Sequence, residues 1–310
     1  MNDIFLTGST GFVGRNLYSS FKNKYKIVSY NRKSKVIDTN SNIYIHLAGK
    51  AHDLKNTSNP EEYYQVNTEL TKHIFNKFLE SNSTIFIYLS SIKAAADNIQ
   101  GILLETTIPN PLTDYGKSKL LAENYILSKK EEWGDKKIFI LRPTMIYGEN
   151  NRGNLNLLYK LIKYRIPWFL SKFENKRSFC YIDNLLFIIE ELINNKNIES
   201  GIYNVADSET ISTNNLVNLI ADSLNIKLFK FHVSKNLIIF FSKICDLFKL
   251  PLNSDKLDKL TSSYIVSNKK ILTAINKKLP YTTKDGLVII ERLASHIHDQ
   301  LAGHDHSPSN

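Results

Sequence analysis

Cysteine is nearly missing from the chain: Cys180 and Cys245 are the only two in 310 residues. They form neither a disulfide framework nor a metal-ligand spacing, so the expectation is a protein of the reducing cytoplasm without a metal site. A membrane-spanning run is missing too. The longest apolar stretch, "NLIIFFSKICDLFKL" over 236–250, is interrupted by Lys243 and Asp246 and is too short to cross a bilayer. Its first reading is a core or subunit-contact helix, and its second is weak peripheral association with a membrane. The first residues, "MNDIFLTGST", have no basic n-region and run straight into a strand-like segment, so no signal peptide is expected. No internal repeat or low-complexity linker is evident. The formal charge of +10 suits an anionic partner, yet the lysines are scattered and build no basic arm or aromatic-interleaved patch. That excludes nucleic acid and leaves an anionic small molecule. The final stretch, "SHIHDQLAGHDHSPSN", has four histidines in two His-x-His pairs but no ligand cluster beside them. Residues 291–310 are therefore read as a tail.

Hydrophobic residues make up 42% of the chain, enough for a sizeable core. Runs rich in Ile, Val, Phe and Tyr recur as "DIFL", "KIVSY", "IYIHLAG", "TIFIYLS", "KIFILRP" and "GIYNVA". Between them lie helical patterns at about 12–22, 61–81, 114–131, 154–163, 184–194 and 213–224. Such alternation predicts βαβ units and a parallel sheet. The segment "NRKSKVIDTNSN" between the second and third strands is too short for a crossover helix. After Gly148 the alternation loosens. The expectation is a dinucleotide-binding domain over 1–150 to which 179–224 returns, a substrate-binding part from 151–178 and 225–290, and the tail.

"IFLTGSTGFVGRNL" sets Gly8, Gly11 and Gly14 directly after the first strand and at the opening of a helix. Glycines there permit a tight turn and close backbone approach, so that amides at the helix N-terminus can hold a pyrophosphate. The end of the second strand selects the dinucleotide. An acidic side chain there would bind both ribose hydroxyls of NAD, but the sequence offers Asn31 and Arg32, followed by Lys33 and Lys35. Arg32 can pair with a 2′-phosphate, which favours NADP(H) over NAD(H). Tyr-x-x-x-Lys occurs four times, at Tyr18/Lys22, Tyr115/Lys119, Tyr125/Lys129 and Tyr159/Lys163. The composition alone would give about two, so the spacing by itself selects none of them.

Together, "TGSTGFVG", "IHLAGKAH", "YQVNTELT", "YLSSIK", "YGKSKLLAE", "LRPTMIYG" and "NKRSFCYIDN" resemble, in order and spacing, the extended short-chain dehydrogenases/reductases, the NAD-dependent epimerase/dehydratase family. The likeness covers nearly all of residues 1–290. It implies an α/β fold: a Rossmann-type doubly wound parallel sheet with a smaller, interleaved C-terminal substrate-binding domain. It selects Tyr115 and Lys119 from the four pairs. It implies that Tyr115 exchanges a proton with the substrate oxygen while hydride passes to or from the nicotinamide. Lys119 would lower the tyrosine pKa and hold the nicotinamide ribose, and Ser91 would hydrogen-bond the same oxygen. The other tyrosines read as ordinary helix residues. The resemblance also assigns Thr10, Phe12 and Val13 of the loop, Leu47, Ala48 and Gly49, Asn67 and Pro143 to cofactor binding. Asn67 could equally be structural. It implies a UDP-sugar substrate held by Ser91, Lys93, Asn154 and Arg177, with Arg177 on the diphosphate and Lys256 or Lys259 adding charge. A homodimer through the helices at 61–81 and 114–131 is a further implication.

Relatives that dehydrate a nucleotide-sugar place Asp-Glu after the catalytic serine or threonine, whereas this chain has Ile92 and Lys93. The expected reaction is therefore NAD(P)H-dependent reduction of a UDP-linked 4-keto-6-deoxy-N-acetylhexosamine in surface-polysaccharide precursor synthesis. The alternative is an NAD-dependent UDP-(N-acetyl)hexosamine 4-epimerase. A non-catalytic NADP-binding regulatory module is the reading from another class. One departure from the family pattern, "IKAAADN" after Ser91, points to an altered substrate pocket.

Overall fold

The computed structural model describes residues 3–30, 37, 40–51, 59–149, 155–248 and 253–288, grouped in two compact units. The chain opens with β1 (Asp3–Thr7), α1 (Phe12–Phe21), β2 (Lys26–Ser29) and β3 (Ile43–His46). It continues through α2 (Pro60–Tyr63), a π-helical turn (Tyr64–Glu69), α3 (Leu70–Glu80), β4 (Ile85–Leu89), β5 (Ile102–Leu103), α4 (Asp114–Ser128) and β6 (Lys137–Pro143). After β7 (Met145–Tyr147) come α5 (Leu155–Lys163), β8 (Arg177–Tyr181), α6 (Ile182–Asn194), β9 (Gly201–Val205) and β10 (Thr210–Ile211). The last elements are α7 (Thr213–Ser223), α8 (Lys235–Leu247), α9 (Ser254–Thr261), β11 (Ile265–Val266) and α10 (Lys269–Ile275).

The first unit comprises residues 1–146, 182–206 and 266–280. Its six strands run β2-β1-β3-β4-β6-β9, every pairing parallel. These are the six apolar runs of the sequence. All four residues of β3 are buried, as a parallel strand covered on both faces demands. Beside the sheet Phe5, Tyr44, Phe75, Phe78, Phe86, Ile138 and Ile140 form one apolar cluster, in which the Phe75 ring meets Phe86 edge-on at 4.9 Å. The carboxyl ends of β1, β3, β4 and β6 carry Thr7, His46, Leu89 and Pro143. In open parallel sheets this is the end where ligands bind.

The second unit comprises residues 147–181, 207–265 and 281–310. In it β8 and β10 pair antiparallel, with Ser178 opposite Thr210. Asp207 accepts from the Tyr147 hydroxyl and from the Tyr181 amide, each at 2.9 Å. Two segments group differently from the sequence expectation. Residues 213–223, expected to return to the main sheet, belong to the second unit: the Thr213 amide donates to Asn175 at 2.8 Å and its hydroxyl to the Leu260 carbonyl at 2.7 Å. Residues 266–280, expected in the substrate-binding part, return to the first unit. There Asn268 donates to the Ala206 carbonyl at 2.9 Å and Lys270 to that of Ile202 at 2.7 Å. Of the two readings of 236–250 as a core or a subunit-contact helix, the core one does not hold: α8 buries only Ile238 and Ser242. No described helix is long and apolar enough to cross a membrane.

Candidate active site

The loop between β1 and α1 is built around close backbone approach. Gly8 has φ +74°, and a Cβ there would lie 2.7 Å from the Ala48 nitrogen. A Cβ on Gly14 would fall 2.1 Å from the Gly8 carbonyl oxygen, so the first turn of α1 packs directly on the loop. Gly11 is the N-cap of α1, no side chain caps that end, and no acidic residue stands in the first turn. Uncapped amides on a glycine cradle at the end of a parallel sheet fit a dinucleotide diphosphate, with Thr10, Phe12 and Val13 in the same turn. Asn31 and Arg32, on which the choice between NADP and NAD was read, lie outside the described residues, as does Asn154.

Ser91, Tyr115 and Lys119 are brought together. Ser91 follows β4 and caps a short 3-10 turn, its Oγ accepting the Lys93 amide at 3.2 Å. That leaves the Ser91 proton to face Tyr115, whose ionised form the Ser91 hydroxyl favours. Tyr115 sits in the first turn of α4, whose N-cap Thr113 accepts from the Gly116 amide at 3.2 Å. Four residues on, Lys119 is buried, and its Nζ donates to the Leu89 carbonyl at 2.8 Å and lies 4.9 Å from the centre of the Tyr88 ring. A Cβ at Gly49 would come within 3.0 Å of that Nζ, so the loop after β3 can bear only glycine here without displacing the ammonium.

Burial governs the titration. It pushes the Tyr115 phenol above its ordinary value, and the Ser91 hydroxyl only partly opposes it. The lowering by Lys119 that the sequence suggested is not seen, because the Lys119 ammonium is engaged with Leu89 and the Tyr88 ring. Burial also brings Lys119 down to about 8, with the Glu123 carboxylate acting in the opposite direction.

Asn67 lies buried in the π-helical turn, a feature frequent at functional sites. Its amide is fully committed: Oδ1 accepts the Lys50 amide at 2.8 Å, and Nδ2 donates to the Lys50 carbonyl at 3.1 Å and to Ser118 Oγ at 2.9 Å. It thereby ties the loop after β3 to α4. Lys93 reaches the Asp97 carbonyl at 2.8 Å, and Asp97 in turn accepts the Leu112 and Thr113 amides ahead of α4. Ile92 is buried, so no acid stands beside Ser91 at these two positions. Leu47, Ala48 and Pro143 sit at the ends of β3 and β6. Arg177 belongs to the second unit, where its guanidinium donates to the Lys259 carbonyl.

Three features escaped the sequence. Tyr63 packs edge-on against Tyr115 at 6.3 Å, and Lys50 lies over the Tyr63 ring at 5.6 Å. Beneath the site, Glu123 holds Arg142 through Nε at 3.0 and 3.1 Å and accepts from Ser90, the neighbour of Ser91. A buried chain runs from Thr7 to Asn67. The Thr71 hydroxyl donates to the Asn67 carbonyl at 2.7 Å and so accepts from His46 Nε2 at 2.9 Å. His46 Nδ1 then accepts from the Thr7 hydroxyl at 2.6 Å. Burial, with the Lys119 charge, holds His46 at about 3, so it is neutral in this network. A helical i, i+4 pattern in "YGKSKLLAE" could have flagged Glu123; nothing local signals the others.

The family described as the NAD dependent epimerase/dehydratase family matches residues 4–206. A UDP-glucose 4-epimerase of Vibrio cholerae is 29% identical to the chain over 91% of its length and 92% of the relative's. An Escherichia coli O157:H7 protein, N-acetyl-alpha-D-glucosaminyl-diphospho-ditrans,octacis-undecaprenol 4-epimerase, is 28% identical over 75% of this chain and 76% of its own. Among solved structures, RMD from Pseudomonas aeruginosa, complexed with NADPH, superposes with a TM-score of 0.71 at 18% identity, covering 94% of this chain and 98% of that one.

Proposed function

The chain belongs to the NAD dependent epimerase/dehydratase family, and from that premise we propose that it is a UDP-sugar 4-epimerase working through Ser91, Tyr115 and Lys119. The observation that carries the reading is the convergence of the Ser91 hydroxyl on Tyr115, with Lys119 buried one helical turn away. The near full-length likeness to the Vibrio cholerae enzyme supports the substrate class and the reaction. A bound nicotinamide supplies the acceptor and donor of hydride. As the C4–H hydride leaves, the C4 hydroxyl proton passes to the Tyr115 oxygen. When hydride returns to the opposite face of C4, Tyr115 gives that proton back to the carbonyl oxygen. Ser91 donates to the same oxygen and fixes its distance from Tyr115. The Tyr115 phenol is protonated at neutral pH, the form needed for the second half of this cycle. The first half needs phenolate, which the Ser91 hydroxyl favours, while Lys119 one turn along α4 is placed to hold the nicotinamide ribose. Arg177 is proposed to meet the substrate diphosphate with a guanidinium, whose fork matches such oxygens.

A second reading, net reduction of a UDP-linked 4-keto-6-deoxy-N-acetylhexosamine for surface-polysaccharide synthesis, is favoured by the Asn31-Arg32 dipeptide of the sequence. A basic residue in place of a carboxylate suits the 2′-phosphate of NADPH better than NAD. Two incubations separate the readings. Conversion of UDP-N-acetylglucosamine or UDP-glucose to its C4 epimer without consumption of reduced cofactor supports the epimerase. Stoichiometric loss of NADPH with the 4-keto sugar, and no epimerisation, would replace it with the reductase. In the reductase case Arg32→Ala narrows the preference for NADPH over NADH; an unchanged ratio removes Arg32 as its source.

A further inference from the structure

Helix α8 turns few side chains to the protein and an apolar band away from it. Ile238 and Ser242 face inward. Leu237, Phe240, Phe241 and Leu247, with Phe248 at the helix end, are 47%, 59%, 56%, 78% and 66% exposed. Positions 237, 240, 241, 244, 247 and 248 follow helical spacing, so these side chains form a continuous band on the outer side of α8. The chain leading into the helix also exposes apolar side chains. Phe229 and Phe231 are exposed, and Phe231 stacks on the exposed Phe169 at 5.3 Å while its amide donates to the Trp168 carbonyl at 2.9 Å. Tyr164 and Ile166 are exposed in the same unit. Soluble monomers rarely leave aromatic surface of this extent in water without a partner for it.

Charge identifies the partner. Residues 158–173 and 224–248, which present this surface, contain Lys160, Lys163, Arg165, Lys172, Lys227, Lys230, Lys235 and Lys243 but a single carboxylate, Asp246. Asp246 is occupied in capping α9, where it accepts the Ser254 amide at 2.9 Å. A second copy of the chain is a poor occupant, because a two-fold interface would set these cations against their own images. An anionic bilayer takes both parts at once: phenyl and leucyl side chains enter the headgroup–acyl boundary while lysines reach the phosphates. The helix is 13 residues long, suited to lying in the interface and not to crossing it. We propose that the outer face of α8, with the 229–231 segment, docks this protein peripherally on an anionic lipid surface.

Co-sedimentation of the full chain with vesicles tests this. One set is equimolar phosphatidylglycerol and phosphatidylcholine, the other phosphatidylcholine alone. The variants are Phe240→Ser/Phe241→Ser and Lys230→Glu/Lys243→Glu, all exposed positions, with thermal melting to verify that each folds as the wild type does. Expected are binding to the anionic vesicles that weakens with salt, at least about tenfold weaker binding to the neutral ones, and a loss of about tenfold or more in each variant. Turnover of soluble substrate by the variants stays at the wild-type level. Absence of wild-type binding to anionic vesicles, or binding by the folded Phe240→Ser/Phe241→Ser variant equal to wild type, overturns the proposal. A wild-type dimer that this same variant converts to monomer overturns it as well, because the face is then a protein–protein interface.

Discussion

Lys119 is the residue whose environment makes the sharpest demand on solution behaviour. Its folded value of about 8 means that the ammonium is lost on passing from neutral to mildly alkaline pH. Because that charge is proposed to hold the nicotinamide ribose, kcat/KM bends downward as pH rises through about 8. In Lys119→Arg, whose guanidinium keeps its proton, the bend moves to higher pH; a bend that stays in place assigns the titration to another group. His46 gives a prediction of the opposite reach. Its folded value, about 3, lies below the ordinary 6.5, so the unfolded chain binds a proton that the folded protein refuses. Stability contributed by neutral His46 is complete above pH 6.5 and is lost as pH falls toward 3. Urea unfolding at pH 7 and pH 5 should show this loss, with a shallower dependence in His46→Gln. That Tyr115 and Lys119 lie one turn apart on one helix was legible because their neighbours in sequence have a recognisable order. The direction of the Tyr115 shift was not, since it depends on burial and on where the Lys119 ammonium points.

At the scale of elements, α4 grips the end of β4 with two side chains one turn apart. Lys119 donates to the Leu89 carbonyl, and Glu123 accepts from Ser90 while holding Arg142 of β6. The next residue, Ser91, is thereby held opposite Tyr115. Glu123 and Arg142 are both essentially inaccessible to water. Replacing Glu123 with Ala leaves a buried guanidinium without its counter-ion, at a cost of about 3–5 kcal/mol in unfolding free energy. Glu123→Met combined with Arg142→Leu should recover most of that loss. In the folded Glu123→Gln variant the Lys119 bend should move to lower pH, because the carboxylate that sustains its charge is gone. Stability equal to wild type in Glu123→Ala would contradict this clamp. The strands themselves were legible, since buried parallel strands read as unbroken apolar runs such as "IYIH" and "KIFIL". The π-helical turn at Asn67 was not, because its cause is a side-chain network reaching across 51 residues to Ser118.

For the whole molecule, the sequence expectation divided the chain near Gly148, and the two compact units assign residues 207–224 and 266–280 differently. A segment's unit is decided by which distant partner takes its hydrogen bonds. Asn268 and Lys270 find theirs beside β9, and Thr213 finds Asn175 and Leu260, none of which is local. Hydrophobic periodicity likewise could not distinguish a core helix from α8, because the apolar band of that helix has helical spacing whichever way it faces. The account as a whole rests on one chemical claim: Tyr115 moves the proton that accompanies hydride transfer at C4. The most direct measurement mixes the nicotinamide-loaded enzyme with its UDP-sugar in a single turnover and follows the nicotinamide absorbance, for wild type and Tyr115→Phe. The account predicts hydride transfer slower by about 10²–10⁴-fold in Tyr115→Phe, with cofactor affinity and thermal stability close to wild type. A folded, cofactor-loaded Tyr115→Phe enzyme that transfers hydride at the wild-type rate would contradict it.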